Sequence, residues 1–164
     1  LKTFLPEVAA MYGVEQGNKY HIYDVFYHTL VAIENAPKDP ILRWAILLHD
    51  IGKPVVQEKN PKGGYKFWGH AKASAKMASN ILKRLKFSKE ESKQIIELIK
   101  FHDRATPTTK SIKKLLKQLR YSNIYQLIEI KKADTMGKNP EYINEKLLNI
   151  KKLEKEVELI FETE

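Results

Sequence analysis

The chain has 164 residues, 43% of them hydrophobic, and no cysteine, which allows one substantial core and excludes a disulfide framework, a thiolate zinc site and a cysteine nucleophile. A formal net charge of +9 favours anionic partners such as nucleotides, phosphate esters or RNA, and a lysine-rich solvated surface accounts for it equally well. No run approaches the roughly 18 uninterrupted apolar residues of a membrane-spanning helix, and no signal peptide opens the chain. One domain over residues 1–164, cytoplasmic and without a membrane partner, is therefore expected. Because the first residue is Leu1 rather than Met, the chain is also expected to be a piece of a longer protein.

The pattern is helical almost throughout. Tyr23 to Ala36 reads as a helix that carries His28 and ends before Pro37. Asp39-Pro40 supplies an N-cap and a first-turn proline for a helix running to about His49. Its residues Ile41, Leu42, Trp44, Ala45, Ile46, Leu47 and Leu48 are apolar on nearly every side, so it is expected at the centre of the fold. Gly52 is read as its stop, and Pro54 to Trp68 as a loop whose Gly63-Gly64 suggests a turn or small hairpin.

His70 opens the next helix, with Ala71, Ala75, Ala78, Leu82 and Leu85 at helical spacing. Ser88 to Glu91 reads as a capping box for a helix running to His102. A short helix follows from about Ser111 to Leu119, and another from about Asn123 to Thr135 carries Asp134. The final helix, about 140–161, has Ile143, Leu147, Ile150, Leu153, Val157 and Ile160 on one stripe. That stripe would close the monomer's own core or join a homodimer. The predicted fold class is an all-α bundle with a short loop or hairpin insertion near 54–68. Of the many lysines, only Lys110 to Lys117 form a stripe dense enough to follow a phosphate backbone.

One constellation carries chemistry: His28, the pair His49-Asp50, His70, His102 and Asp134. His102 lies four residues after Leu98 and three after Ile99, hence on their inward face. Asp134 lies seven after Leu127 and four after Ile130, again on an apolar stripe. A carboxylate aimed at a core must be paired, hydrogen-bonded or metal-bound. Asp50 ends a buried helix, where the macrodipole disfavours negative charge by about 0.3–1 kcal/mol, a penalty that a dication would reverse. Singly, such a histidine is usually a hydrogen-bonded core residue and such an aspartate a cap. Jointly they offer nitrogen and oxygen ligands from several helices, the set that suits a borderline or hard divalent cation. His21, seven residues before His28, is given a structural role, and Tyr20 and Tyr23 are expected to pack rather than to stack on a base.

The pattern His28, His49-Asp50, Asp134 resembles the one that names the HD phosphohydrolase superfamily. Pro6-Glu7, Tyr20 to Val25 with His28-Thr29-Leu30, Leu42 to Ala45, His49 to Pro54, Phe67 to Ala71 and His102-Asp103 are similar, more narrowly, to the HD domain of bacterial tRNA nucleotidyltransferases, the CCA-adding enzymes. The likeness covers about residues 5 to 137 and names no motif in the final helix. The Gly-Ser and Asp-x-Asp elements of the nucleotidyltransferase head are absent from these 164 residues, so a detached HD domain or a free-standing relative is expected.

The resemblance implies that His28, His49, Asp50 and Asp134 hold a first divalent metal. It implies that His70 and His102 serve a second metal, with Asp50 bridging, or contact phosphate instead. One or two ions of Mn, Fe, Co, Ni, Zn or Mg are compatible with these donors. The expected activity is metal-dependent hydrolysis of phosphomonoesters or phosphodiesters of nucleotides or RNA ends, such as 2′,3′-cyclic phosphates. Asp50 would orient or deprotonate the attacking water. Lys53 would neutralise charge on the phosphate, or else be a solvated lysine beyond the helix end. Arg104 is a further phosphate candidate. The alternative is a non-catalytic module that binds tRNA or another RNA, or braces a neighbouring catalytic head.

Overall fold

The computed structural model describes residues 1–164. Nine helices and one small hairpin follow in order: α1 (Pro6–Ala9), α2 (Val25–Glu34), α3 (Pro40–Leu48), α4 (Lys53–Val56), β1 (Glu58–Lys59), β2 (Tyr65–Lys66), α5 (His70–Arg84), α6 (Lys89–Phe101), α7 (Thr109–Gln118), α8 (Ile124–Met136) and α9 (Pro140–Thr163). The all-α class holds. The insertion near 54–68 is a short antiparallel hairpin pairing Glu58 with Lys66 and Lys59 with Tyr65. Gly63 and Gly64 turn it at φ 104° and 70°, values open to glycine without strain.

Local chemistry sets the helix ends. Asp24 accepts from Tyr27 N at 2.7 Å, so α2 begins at Val25 and not at Tyr23 as expected. Asp39 caps α3 through Ile41 N at 2.9 Å. At α6, Ser88 accepts from Glu91 N, but the Glu91 carboxylate is taken by the Ser88 hydroxyl at 2.9 Å, so the expected box is only half formed. Complete boxes occur instead at Thr108/Ser111 and Asn123/Gln126. The stretch after Gly52 is not a plain loop, because Lys53–Val56 forms one helical turn with Pro54 in its first turn.

Gly52 itself does not stop α3. That helix ends at Leu48 with His49 as its C-cap, and Gly52 lies in right-handed helical space at φ −78°. Glycine is needed there for a different reason. A Cβ at Gly52 would lie 2.6 Å from Ser74 N and 2.8 Å from His70 O, so its absence lets the first turn of α5 pack against the His-Asp turn.

α3 is the central helix, touching α2, α5, α6 and α8. Ala45, Ile46 and Leu48 are essentially inaccessible, and they join a core cluster of 30 buried residues that includes Ile51, Leu98, Ile99, Leu127 and Ile130. The stripe of α9 is spent on this core: Ile150, Leu153, Val157 and Ile160 are buried, and the helix packs on α7 and α8 of its own chain. No helix is long and apolar enough to cross a membrane.

A buried carboxylate fixes the α7–α8 corner. Glu97 of α6, which the helical pattern did not single out, accepts from Arg120 N, Tyr121 N, Ser122 N and the Ser122 hydroxyl at 2.5–3.0 Å. Burial opposes its charge, but these donors outweigh burial and hold its pKa below the usual 4.5. Removing it strands part-buried backbone donors, a loss of about 1–3 kcal/mol. Glu97→Ala is therefore expected to lower stability by about 2 kcal/mol at neutral pH. A group with a depressed folded-state pKa contributes fully above its unfolded value and loses the contribution as pH falls through the folded value. The gap between wild type and variant in urea denaturation should thus narrow below about pH 4. A gap that is constant from pH 7 to pH 3 would refute this role for the carboxylate.

Candidate metal centre

Four helix ends and one helix side supply the constellation. His28 projects from α2, His49-Asp50 follow the end of α3, His70 opens α5, His102 caps α6, and Asp134 lies in the last turn of α8. All six predicted residues converge. His28, His49, Asp50 and Asp134 form one group able to hold a metal ion, and Asp50, His70 and His102 form a second, the ligand atoms within each lying inside 4.8 Å of one another. Asp50 belongs to both.

The first group is tight. Asp134 Oδ1 lies 2.8 Å from His28 Nε2 and 3.0 Å from His49 Nε2. Asp50 Oδ2 lies 3.5 Å from His28 Nε2 and 3.1 Å from His49 Nε2. In the second group, Asp50 Oδ1 is 3.3 Å from His70 Nε2 and 3.7 Å from His102 Nε2. The two Nε2 atoms are 3.3 Å apart.

Backbone carbonyls fix the histidine tautomers. The Nδ1 atoms of His28, His49, His70 and His102 face the carbonyls of Gly137, Ile46, Phe67 and Ile99 at 2.9, 2.5, 3.2 and 2.6 Å. A carbonyl only accepts, so each Nδ1 carries the proton and donates it. Whenever Nε2 is unprotonated, each ring turns its lone pair inward, the arrangement that carbonyl partners enforce on metal-ligating histidines. Lone pairs facing carboxylate oxygens, and His70 facing His102, repel one another unless something positive lies among them.

Asp50 Oδ2 sharpens the argument. It is fully buried, and although His28, His49 and Lys53 stand within 3.1–3.5 Å, none makes a hydrogen bond to it. An ionised buried oxygen without a hydrogen bond is costly. Electrostatics keep it ionised all the same. Burial opposes the charge, yet His49 and Lys53 hold the Asp50 pKa well below the carboxylate range. The same carboxylates act on His49, whose pKa burial would lower but Asp50 and Asp134 push up to about 10, so its Nε2 carries a proton that a metal ion would displace. The centre thus attracts positive charge, and its nitrogen and oxygen donors fit a divalent cation.

Residues around the centre divide into those foreseen and those missed. Lys53 is buried at 7% exposure, with Nζ 3.3 Å from Asp50 Oδ2 and 2.7 Å from Gln16 Oε1, which excludes a solvated lysine. Gln16, buried at 2%, carried no signal in the sequence. Lys138 was also missed; its Nζ lies 3.3 Å from Asp134 Oδ2, and a spacing of four residues was the available clue. Arg104 donates to Gln118 Oε1 at 2.9 Å and lies over the Phe101 ring. His21 joins neither group. Its Nδ1 contacts Asn18 at 2.9 Å, its ring meets His28 edge-on, and burial with nearby Lys53 lowers its pKa to about 3. Tyr20 packs edge-on against Tyr142, with Lys146 Nζ 4.4 Å from its ring centre.

A groove of about 780 Å³ opens on the centre, with His102 and Asp134 at its inner end. The α6–α7 loop forms one wall, and α8 with α9 forms the other. Asp134 keeps 19% of its side chain exposed, while the side chains of His28 and His49 have no exposure.

A helical bundle that gathers histidines and aspartates around one His-Asp pair defines the class of this protein. Residues 19–149 match the HD domain, and the chain belongs to that family, one of metal-dependent phosphohydrolases. It is 37% identical over 108 residues to the A-adding tRNA nucleotidyltransferase of Deinococcus radiodurans, a stretch covering 62% of this chain and 25% of that relative. It is 32% identical over 144 residues to the CC-adding tRNA nucleotidyltransferase of Thermus thermophilus, covering 84% of this chain and 33% of the relative. A multifunctional CCA protein of Herminiimonas arsenicoxydans is 34% identical over 90 residues, covering 52% and 21%. The chain spans a third or less of the length of these relatives.

Proposed function

We propose that this chain is a metal-dependent phosphohydrolase whose substrates are phosphate esters of nucleotides or RNA ends, 2′,3′-cyclic phosphates among them. The observation that carries the reading is the buried Asp50 carboxylate with one oxygen toward each group of histidine Nε2 atoms and no hydrogen bond on Oδ2. His28, His49, Asp50 and Asp134 are the proposed ligands of a first divalent ion, and His70 and His102 bind a second ion or the phosphate. Mn, Fe, Co, Ni, Zn and Mg all accept such donors. The bound metal supplies Lewis-acid polarisation of the phosphoryl oxygen and a nucleophile at neutral pH.

The protein's own groups do the rest. Asp50 orients the attacking water and accepts its proton. Lys53, held by Gln16 beside Asp50, keeps that carboxylate ionised and offsets charge developing on the phosphate. Where no second ion is bound to them, His70 or His102, protonated on Nε2, would give that proton to the leaving oxygen. Arg104, on the groove wall, adds a positive charge toward the substrate.

The relatives' names favour a second reading, in which the domain binds tRNA or braces a nucleotidyltransferase head without catalysis. One experiment separates the two. Metal-stripped protein is given 2′,3′-cyclic AMP with Mn, Co, Ni, Zn or Mg added back. Turnover that requires the metal supports the hydrolase; folded, metal-loaded protein without turnover on cyclic, 2′- or terminal phosphates favours the binding module.

A further inference from the structure

The groove at the metal centre does not end at its own walls. It shares Thr108 and Thr109 with a second surface cavity of about 700 Å³, lined otherwise by Lys110, Ser111, Lys113, Lys114 and Lys117 of α7. Those four lysines fall at i, i+3, i+4 and i+7, so one face of α7 is a cationic row. All four are exposed, while Ile112 and Leu115 of the opposite face are buried. The groove itself carries Arg104, Lys131, Lys138, Lys146 and Lys152.

Acidic groups thin out along the path. Asp103, Asp134 and Glu156 line the groove, with Glu156 accepting from Thr109 Oγ1 at 3.2 Å at the junction. No acidic residue lines the α7 cavity. Only Lys113 has an acidic neighbour, Glu164 at 3.7 Å, with both side chains about half or more exposed. Positive charge therefore dominates farthest from the centre, where a metal-bound phosphate would not reach.

Size decides what the path fits. A cavity of the groove's volume holds one drug-sized ligand, so the groove alone would suffice for a mononucleotide. The ten residues of α7 extend it by about 15 Å, and a mononucleotide held at the centre leaves that row empty. A polyanion with regularly spaced charges uses both.

Resting on the hydrolase reading above, we propose that the substrate is the end of a single RNA strand. Its terminal phosphate reaches the centre between His102 and Asp134, and its preceding phosphates cross Thr108–Thr109 onto the lysine row of α7. The row contributes to binding of the strand and leaves the chemistry at the centre unchanged.

The test compares two substrates of the metal-loaded chain, 2′,3′-cyclic AMP and an RNA of about ten nucleotides ending in a 2′,3′-cyclic phosphate. Lys110, Lys114 and Lys117 are changed together to Gln, leaving the Lys113–Glu164 pair intact. A control changes Lys83, Lys86 and Lys89, equally exposed at the α5–α6 turn. The α7 variant should raise KM for the RNA about tenfold or more and flatten its salt dependence, with KM for the mononucleotide and both kcat values within twofold. The control should change neither.

Equal effects on both substrates, equal effects of the two triple variants, or no effect would overturn the proposal. If neither ester is cleaved, the hydrolase reading fails, and the path is still read by fluorescence anisotropy of a labelled RNA of the same length. Weaker, less salt-dependent binding by the α7 variant alone would support the path, and identical binding by all three proteins would overturn it.

Discussion

Replacing Asp50 with asparagine is expected to lower metal-supported phosphate-ester hydrolysis by roughly 10³-fold, the scale of a lost charge at a reacting centre. No other residue belongs to both groups. Its Oδ2 faces His28 and His49, and its Oδ1 faces His70 and His102. Asparagine keeps the shape but removes the charge and turns an NH₂ or a neutral oxygen toward each set of lone pairs. Metal content per chain should fall together with turnover. Circular dichroism must accompany the assay, because the change also leaves the buried Lys53 without its anion, and breaking a buried pair by removing one partner is destabilising. A folded Asp50→Asn protein with turnover within a few-fold of wild type would contradict Asp50's role.

Gly52→Ala is the second large effect, and it arises from packing. The added Cβ meets Ser74 Oγ at 2.8 Å and also backbone, Ser74 N at 2.6 Å and His70 O at 2.8 Å, so moving a side chain alone does not relieve it. Overpacking of this kind costs about 1–3 kcal/mol. Relief requires the first turn of α5 to move away, and His70 opens that turn. The substitution should therefore lower the melting temperature and also reduce hydrolysis about 10–100-fold, as does loss of a group that orients a ligand. An unchanged melting temperature would show that the α5 approach is looser than these distances require, whereas a lowered melting temperature with normal activity would separate His70 from the chemistry.

The contrast between Gly52 and Asp134 shows what was legible in the sequence. Asp134 could be read because a carboxylate on the stripe of Leu127 and Ile130 breaks a periodic apolar pattern. The other converging residues stood out in the same way, as polar groups at the ends of apolar helices or, for His28, within one. Gly52 was misread as a helix stop, because a glycine after an apolar run signals a C-cap, whereas its actual constraint comes from α5, 22 residues further on at Ser74. Gln16, Lys138 and Glu97 share that difficulty. Gln16 gains meaning only through Lys53, and Glu97 only through the backbone donors of residues 120–122. A cap set by one residue, such as Asp39, was predictable, whereas Asn123, read as the start of α8, is its cap. The half-formed box at Ser88 was not, because the Ser88 hydroxyl competes for the Glu91 carboxylate.

A divalent ion among His28, His49, Asp50 and Asp134 is the central claim, and anomalous diffraction from crystals grown with Mn tests it most directly. The account predicts a Mn anomalous peak bonded to His28 Nε2, His49 Nε2, Asp50 and Asp134, with all four histidine Nδ1 atoms still on their backbone carbonyls. Density free of any anomalous peak there at saturating Mn, with Asp134 still hydrogen-bonded directly to His28 and His49, would contradict it.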